Sequence, residues 1–304
     1  MRITVGITSY NQRNLLIEAV DSVLSQSAIP FEIIIVDDAS TDDSPELIMG
    51  YASRYPGIVR PILLAQNTGP NAARNHVLDA ATGNFLTFLD GDDRWLPTKL
   101  ERQMARLSAV DRPDAVFSNF YFTDKNGARL FPWVTNRRPP EGKILRQILT
   151  LDLPRTTLFR SELAPVSYWR EAGYFDSTFA IYGDWDMRVR LAIAVPRFAY
   201  IDEPLCEYRR HGSGLSNNRV EMHLEAVDHI EQKYASLIAQ LSIAHDADFS
   251  QGLNRFRAKL LRRAAMNVLL ARPAGFRRSA IHLYKQSLKF DRVLDPRLFW
   301  YLIK

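Results

Sequence analysis

Two hydrophobic rhythms alternate through the first third of the chain. A short β-branched apolar run at 3–7 and a continuous apolar run at 31–36 read as strands, with further strand candidates at 59–64 and 84–89. Between them, apolar residues recur at helical spacing. Leu16, Ile17, Val20, Val23 and Leu24 fall on one face, which predicts a helix over 15–26. Helices are also predicted over 43–55, with Ser44 as N-cap and Pro45 at its first position, and over 71–81, ended by Gly83. Strands that are apolar along their whole length, separated by amphipathic helices, imply an α/β fold with a mostly parallel sheet covered on both faces.

Beyond this region, 114–122 reads as a strand, 137–142 as a proline-rich charged loop and 143–151 as a short helix. Residues 175–194 hold a loop and then a helix. Residues 206–216 are polar and basic, with Gly212 and Gly214 marking a flexible segment. From about 217 the helical pattern runs to the end. The expected organisation is an α/β domain over 1–216 and a basic, mainly helical extension over 217–304.

At 304 residues, with 46% hydrophobic and 24% charged residues, the composition is that of a soluble globular protein. No stretch approaches the ~18 apolar residues of a membrane-spanning helix, and no secretory leader is visible. The single cysteine, Cys206, excludes an intramolecular disulfide framework and fits a reducing compartment. A cytoplasmic protein is expected. The net charge of +5 conceals an asymmetry: 251–304 carries 13 basic and 2 acidic residues, leaving 26 and 32 for the remainder.

Candidate chemistry sits where the predicted strands end. In such sheets ligands bind outside the carboxyl ends of the strands. The residues at those ends are Thr8-Ser9-Tyr10-Asn11, Asp37-Asp38, Asn67-Thr68-Gly69 and Asp90-Gly91-Asp92-Asp93. The last group places three carboxylates within four residues. Hard oxygen ligands of this kind suit Mg²⁺ or Mn²⁺. Two plainer readings stand beside this. Asp92 or Asp93 could cap a helix beginning near Leu96-Pro97, and Asp37 and Asp38 could open a helix through the cap-forming residues that follow.

In this arrangement the chain resembles the family-2 glycosyltransferases of the GT-A fold. The motifs that carry the resemblance are Thr8-Ser9-Tyr10-Asn11, Val36 to Asp42, Asn67-x-Gly69 leading to Ala73-Arg74-Asn75, Phe88 to Asp93, and Gly183-Asp184-Trp185-Asp186. They occur in the family order and span about seventy percent of the chain. The resemblance implies an inverting transferase that moves one sugar from a UDP- or dTDP-sugar to a hydroxyl of a glycan or lipid-linked acceptor, in cell-surface polysaccharide assembly. It implies that Thr8, Tyr10 and Asn11 line the nucleotide pocket, that Asp38 accepts from the imide N–H of the base, and that Arg74, Asp90 and Gly91 bind the donor. Asp92, with Asp90, would ligate Mn²⁺ or Mg²⁺, and Asp184 would be the catalytic base.

Tyr208-Arg209-Arg210-His211 resembles the family's Tyr-Arg-x-His segment. That likeness makes His211 a further metal or diphosphate ligand and brings Arg209 towards the donor. Arg155, Thr156 and Trp185 occupy family positions near the donor sugar and acceptor. The Gln-x-x-Arg-Trp motif of processive synthases is absent. One departure stands out: the family usually has Glu-Asp where this chain has Gly183-Asp184. A catalytically diverged nucleotide-sugar-binding protein is therefore the alternative. A phosphate-accepting receiver domain, suggested by Ile34 to Asp38, is disfavoured by the other motifs.

The tail interleaves Arg255, Arg257, Lys259, Arg262 and Arg263 with Phe256, Leu260, Leu261, Val268 and Leu269, and 276–290 repeats the theme. A basic amphipathic helix reads as a membrane-surface element. A helical cap on the acidic body, or a dimer contact, reads equally well. Nucleic acid is not expected, because no recognition motif accompanies the charge.

Overall fold

The computed structural model describes residues 1–210, 220–245, 249–271, 276–292 and 296. The chain divides into two compact units, one of 1–145 with 153–214, the other of 146–152 with 215–304.

The first unit opens with β1 (Ile3–Ser9), α1 (Arg13–Leu24), β2 (Glu32–Asp37), α2 (Ser44–Arg54), β3 (Val59–Leu63), α3 (Pro70–Ala80) and β4 (Phe85–Asp90). Every residue of β1 and β2 is buried, which explains their continuous apolar sequence. On α1 the predicted face is buried at Leu16, Val20 and Val23, together with Ala19. The strands assemble in the order β3-β2-β1-β4, all parallel, with the two-residue β8 (Ala164–Pro165) antiparallel on the β4 edge. The register sets Thr8 beside both Val36 and Asp90, and Ser9 beside Asp37. The polar ends of three strands therefore finish level with one another.

A second sheet is formed by β5 (Arg94–Trp95), β9 (Phe198–Arg209), β6 (Ala115–Thr123) and β7 (Arg129–Pro132), in that order. Strands β6 and β9 run parallel and their neighbours antiparallel. Its core is aromatic. Phe117 stacks on Phe159 with centroids 4.3 Å apart, and Trp133 stacks on Phe120 at 5.3 Å. Helices α4 (Lys99–Leu107), α6 (Val166–Ala172) and α7 (Gly183–Ala194) complete the unit, with a 3-10 turn at Pro154–Thr156.

Several expectations need correction. Residues 206–209 are not a flexible segment; they are the end of β9. That strand is hidden in the sequence because Asp202-Glu203-Pro204 interrupts its apolar run. The structure accommodates the interruption as a register shift, pairing Ser118 with Ile201 and the next residue, Asn119, with Pro204. Asp43, not Ser44, is the N-cap of α2. The helix expected at Leu96 begins at Lys99, because Arg94 and Trp95 pair with β9.

The second unit holds α5 (Leu145–Thr150), apart from its first residue, with α8 (Val220–Lys233), α9 (Ala235–His245), α10 (Phe249–Ala271) and α11 (Phe276–Phe290). Helices α10 and α11 pack through Ala265, Leu269, Ala280 and Tyr284. Arg257 lies inside the unit, donating to Asp228 at 2.7 Å, and Arg262 pairs with Asp291 at 3.2 Å. Among the described residues, no helix is long and apolar enough to cross a membrane.

Candidate active site

The carboxyl edge of the first sheet is knitted together by side-chain oxygens. After β1, the Asn11 N–H donates to Ser40 Oγ (2.8 Å), and Asn11 Oδ1 accepts from the Thr41 N–H (2.7 Å). After β2, Asp37 accepts from the Ser40 N–H and hydroxyl at 2.8 and 2.6 Å. Asp38 is 3% exposed. Its Oδ1 accepts from the Thr68 N–H at 2.7 Å and its Oδ2 from the Gly69 N–H at 2.8 Å. Two of the sequence motifs are thus physically joined: Asp38 holds the loop that opens α3. A carboxylate has about four acceptor positions, so these bonds leave capacity for a ligand N–H. Tyr10 stands exposed above this edge and Thr8 is buried at its base.

The acidic turn follows β4. Gly91 is required here by space: a Cβ would lie 2.9 Å from the Thr8 carbonyl oxygen, to which the Gly91 N–H donates at 3.0 Å. The Asp93 N–H closes the turn onto the Asp90 carbonyl at 3.0 Å. Carboxylate oxygens of Asp90, Asp92 and Asp93 all lie within 4.8 Å of one another. Such a hard-oxygen donor set fits a divalent cation such as Mg²⁺ or Mn²⁺.

Asp90 accepts from Arg74 at 2.6 Å and from Arg160 at 3.4 Å. Burial alone would raise its pKa, but these guanidinium groups reverse the effect and hold it below the usual carboxylate range. Asp93 goes the other way. Burial, and then the Asp92 charge, push it well above that range.

A small recess adjoins the turn; its lining includes Arg74, Asp90, Asp93, Arg160, Asp184 and Arg188. Asp184 arrives from the first turn of α7 and Arg160 from the segment before β8. Asp184 Oδ2 accepts from Arg188 at 3.0 Å, one helical turn later, and Arg188 also pairs with buried Glu162 at 3.0 Å. Arg160 stacks over the Tyr208 ring at 3.5 Å. Asn11, Ala39, Ser161 and Tyr182, around this edge and recess, hold left-handed backbone without being glycine. Such strain, of order 1–3 kcal/mol per residue, concentrates at functional sites.

The structure brings together Thr8, Asn11, Asp38, Arg74, Asp90, Gly91, Asp92 and Asp184 along one sheet edge and its adjoining recess. It places others elsewhere. Trp185 is fully buried and meets Tyr182 edge-on at 5.7 Å, so its ring faces the protein interior. Arg155 donates to the Pro132 carbonyl at 3.2 Å and lies over Phe131 at 4.5 Å, outside the residues lining the recess. Arg209 is buried beneath the acidic turn. Its N–H donates to Asp93 at 2.8 Å, its Nε to the Asp92 carbonyl at 3.0 Å and its Nη2 to Glu18 at 2.6 Å. It braces the turn from behind. His211 and the Thr156 side chain lie outside the described residues. Sequence reasoning missed Arg160, Glu162 and Arg188. Arg188 could have been found from its i,i+4 spacing to Asp184 on the predicted helix; no local spacing marks Arg160 or Glu162, which only the fold brings to Asp90 and Arg188.

The sequence profile of Glycosyl transferase family 2 matches residues 4–163. An uncharacterised protein of Mycobacterium tuberculosis is 35% identical over 210 residues, covering 68% of this chain and 58% of that protein. The chain thus spans little more than half the length of that relative. The succinoglycan biosynthesis protein ExoO of Rhizobium meliloti is 32% identical over 163 residues, 53% of this chain and 44% of that one. Among solved structures, S. aureus TarS 1-349 in complex with UDP-GlcNAc superposes with a TM-score of 0.62 at 19% identity, covering 96% of this chain and 92% of the other. That likeness establishes the GT-A-like fold. With the profile spanning more than half of the residues, this chain belongs to glycosyl transferase family 2.

Proposed function

We propose that the chain transfers a single sugar from a UDP-sugar to a hydroxyl acceptor, with inversion, and that Asp184 is the base. The observation that carries this reading is the shared recess: the acidic turn and the α7 carboxylate line one cavity together with three arginines. The acceptor oxygen attacks the anomeric carbon as the bond to the diphosphate breaks, and its proton passes to Asp184. Arg188 and the Trp185 N–H fix the orientation of that carboxylate and leave acceptor positions for the incoming proton. General-base help of this kind typically contributes ~10²–10⁴-fold. Arg74 and Arg160 supply positive charge where the diphosphate departs. Asp90, Asp92 and Asp93 would hold Mn²⁺ or Mg²⁺, which, when bound, neutralises charge on the leaving group.

Asp38 accepts the imide N–H of a uracil ring with the acceptor capacity that its bonds from Thr68 and Gly69 leave. UDP-GlcNAc in the similarly folded TarS makes a UDP-N-acetylhexosamine the first donor to test. The name of the succinoglycan relative favours an acceptor in cell-surface polysaccharide assembly, on a glycan or lipid carrier. The outer faces of α10 and α11 support a peripheral place at an anionic membrane. Their exposed residues include Arg255, Lys259, Arg263, Arg278, Lys285 and Lys289.

Calorimetric titration of UDP, with and without Mn²⁺, tests the donor site. Binding strengthened by Mn²⁺ and lost in Asp92→Asn is the expected result. Equal binding by the variant would remove Asp92 from the site. Failure of UDP to bind with Mn²⁺ present would overturn the uracil assignment and send the search to other nucleotides.

A further inference from the structure

Gly183 stands where the family pattern has glutamate, immediately before Asp184. A Cβ built at this glycine would lie 2.2, 2.4 and 2.5 Å from Nδ2, Oδ1 and Cγ of Asn71. No side chain fits at position 183 while Asn71 keeps its place. Asn71 is 5% exposed, in the first turn of α3. Its Nδ2 donates to the carbonyls of Asp176 (3.1 Å) and Phe179 (2.9 Å). One turn further along α3, Asn75 exchanges two hydrogen bonds with the backbone of Phe175. Two amides on one face of α3 therefore hold the loop that leads into the left-handed Tyr182 and then into Asp184.

We propose that Asn71 and Gly183 are a matched pair. The Asn71 amide fills the volume a residue-183 side chain would take and, through the 176 and 179 carbonyls, positions the Asp184-bearing turn for proton transfer. Asn71 is a positioning residue on this account, and the absence of glutamate at 183 is a packing exchange rather than a sign of lost catalysis. The positioning half rests on Asp184 being the base; the packing half does not.

The test is a double-substitution cycle of Asn71→Ala and Gly183→Ala, with thermal unfolding, UDP affinity and UDP-GlcNAc hydrolysis measured on each protein. Water stands in for the acceptor in the last assay. Gly183→Ala should lower the unfolding temperature in the wild-type background and much less in the Asn71→Ala background. Asn71→Ala should lower kcat about 10–100-fold, the scale of a small misplacement of a catalytic group. KM for the donor and UDP affinity should stay within about twofold of wild type, well under the tenfold that 1.4 kcal/mol represents. Asn71→Ser, which keeps one donor, should recover part of the lost kcat. An equal loss of unfolding temperature in both backgrounds would overturn the pairing. A kcat unchanged by Asn71→Ala, or a rise in KM that matches the fall in kcat, would overturn the positioning role. Should the wild type bind UDP yet turn over no UDP-sugar, the transferase reading and the positioning role fall together, while the unfolding cycle still decides the pairing.

Discussion

Lys99 is fully buried in the first unit. It donates to Gln103 at 2.8 Å, and its Nζ lies 3.6 Å from the centroid of the Trp95 ring. Burial pushes its pKa down to about 7 from an unfolded value of 10.5. Between those values the unfolded chain binds a proton that the folded chain does not. Stability contributed by this site therefore falls as pH drops from the unfolded pKa to the folded one, by about 1.4 kcal/mol per pH unit, and levels off below the folded pKa. Lys99→Met should remove that slope. In denaturant unfolding, its advantage over wild type should be largest near neutral pH and shrink in mildly alkaline buffer. A pH-independent difference would mean that Lys99 is charged in the folded state. A second prediction at this scale concerns Asp184. Asp184→Asn should reduce UDP-sugar turnover by at least ~10²-fold with UDP affinity preserved; parallel loss of both would make Asp184 a binding residue instead. Asp184 and the acidic turn were legible in the sequence because dense local motifs carry them. Arg160 and Glu162 were not, because their partners Asp90 and Arg188 are distant in the chain.

At the scale of elements, β1 and β2 were readable among the first four strands because every residue of each is buried, which their nearly continuous apolar sequence reflects; β3, which exposes Arg60 and Leu63, was marked by its place between two helices. The strands' carboxyl ends could be identified, but not the register that sets Thr8 beside Asp90 and Ser9 beside Asp37. Strand β9 shows the opposite case. Its polar end looked like a loop, yet it delivers Arg209 beneath the acidic turn, where the guanidinium spans Glu18, the Asp92 carbonyl and the Lys125 carbonyl. Groups that orient metal ligands from behind typically account for 10–100-fold in metal affinity. Arg209→Met should therefore raise the Mn²⁺ concentration needed for half-maximal UDP binding by roughly tenfold or more. An unchanged Mn²⁺ dependence would confine Arg209 to fold stability.

At the scale of the whole molecule, most basic residues described in the tail are exposed, Arg257 being buried. The apolar stripe of α10 is buried at Leu253, Phe256, Leu260 and Leu261, so these residues are not free to insert between lipids. What α11 presents is charge, at Arg278, Lys285 and Lys289, and anionic lipid attracts such groups by about 1 kcal/mol each. Sedimentation with phosphatidylglycerol vesicles should therefore be salt-sensitive and should weaken in an Arg278→Glu, Lys285→Glu, Lys289→Glu variant that still binds UDP. Binding to neutral phosphatidylcholine vesicles to the same degree would exclude the electrostatic account. The sequence by itself determined the α/β class, the alternation of the first half and the acidic turn, because hydrophobic period and turn chemistry are local properties. Tertiary structure alone decided that Asp38 clamps the α3 loop, that Trp185 and Arg155 face away from the recess and that Asn71 fills the space beside Gly183. Each of these depends on which distant backbone approaches, and side-chain space is set only when the elements pack.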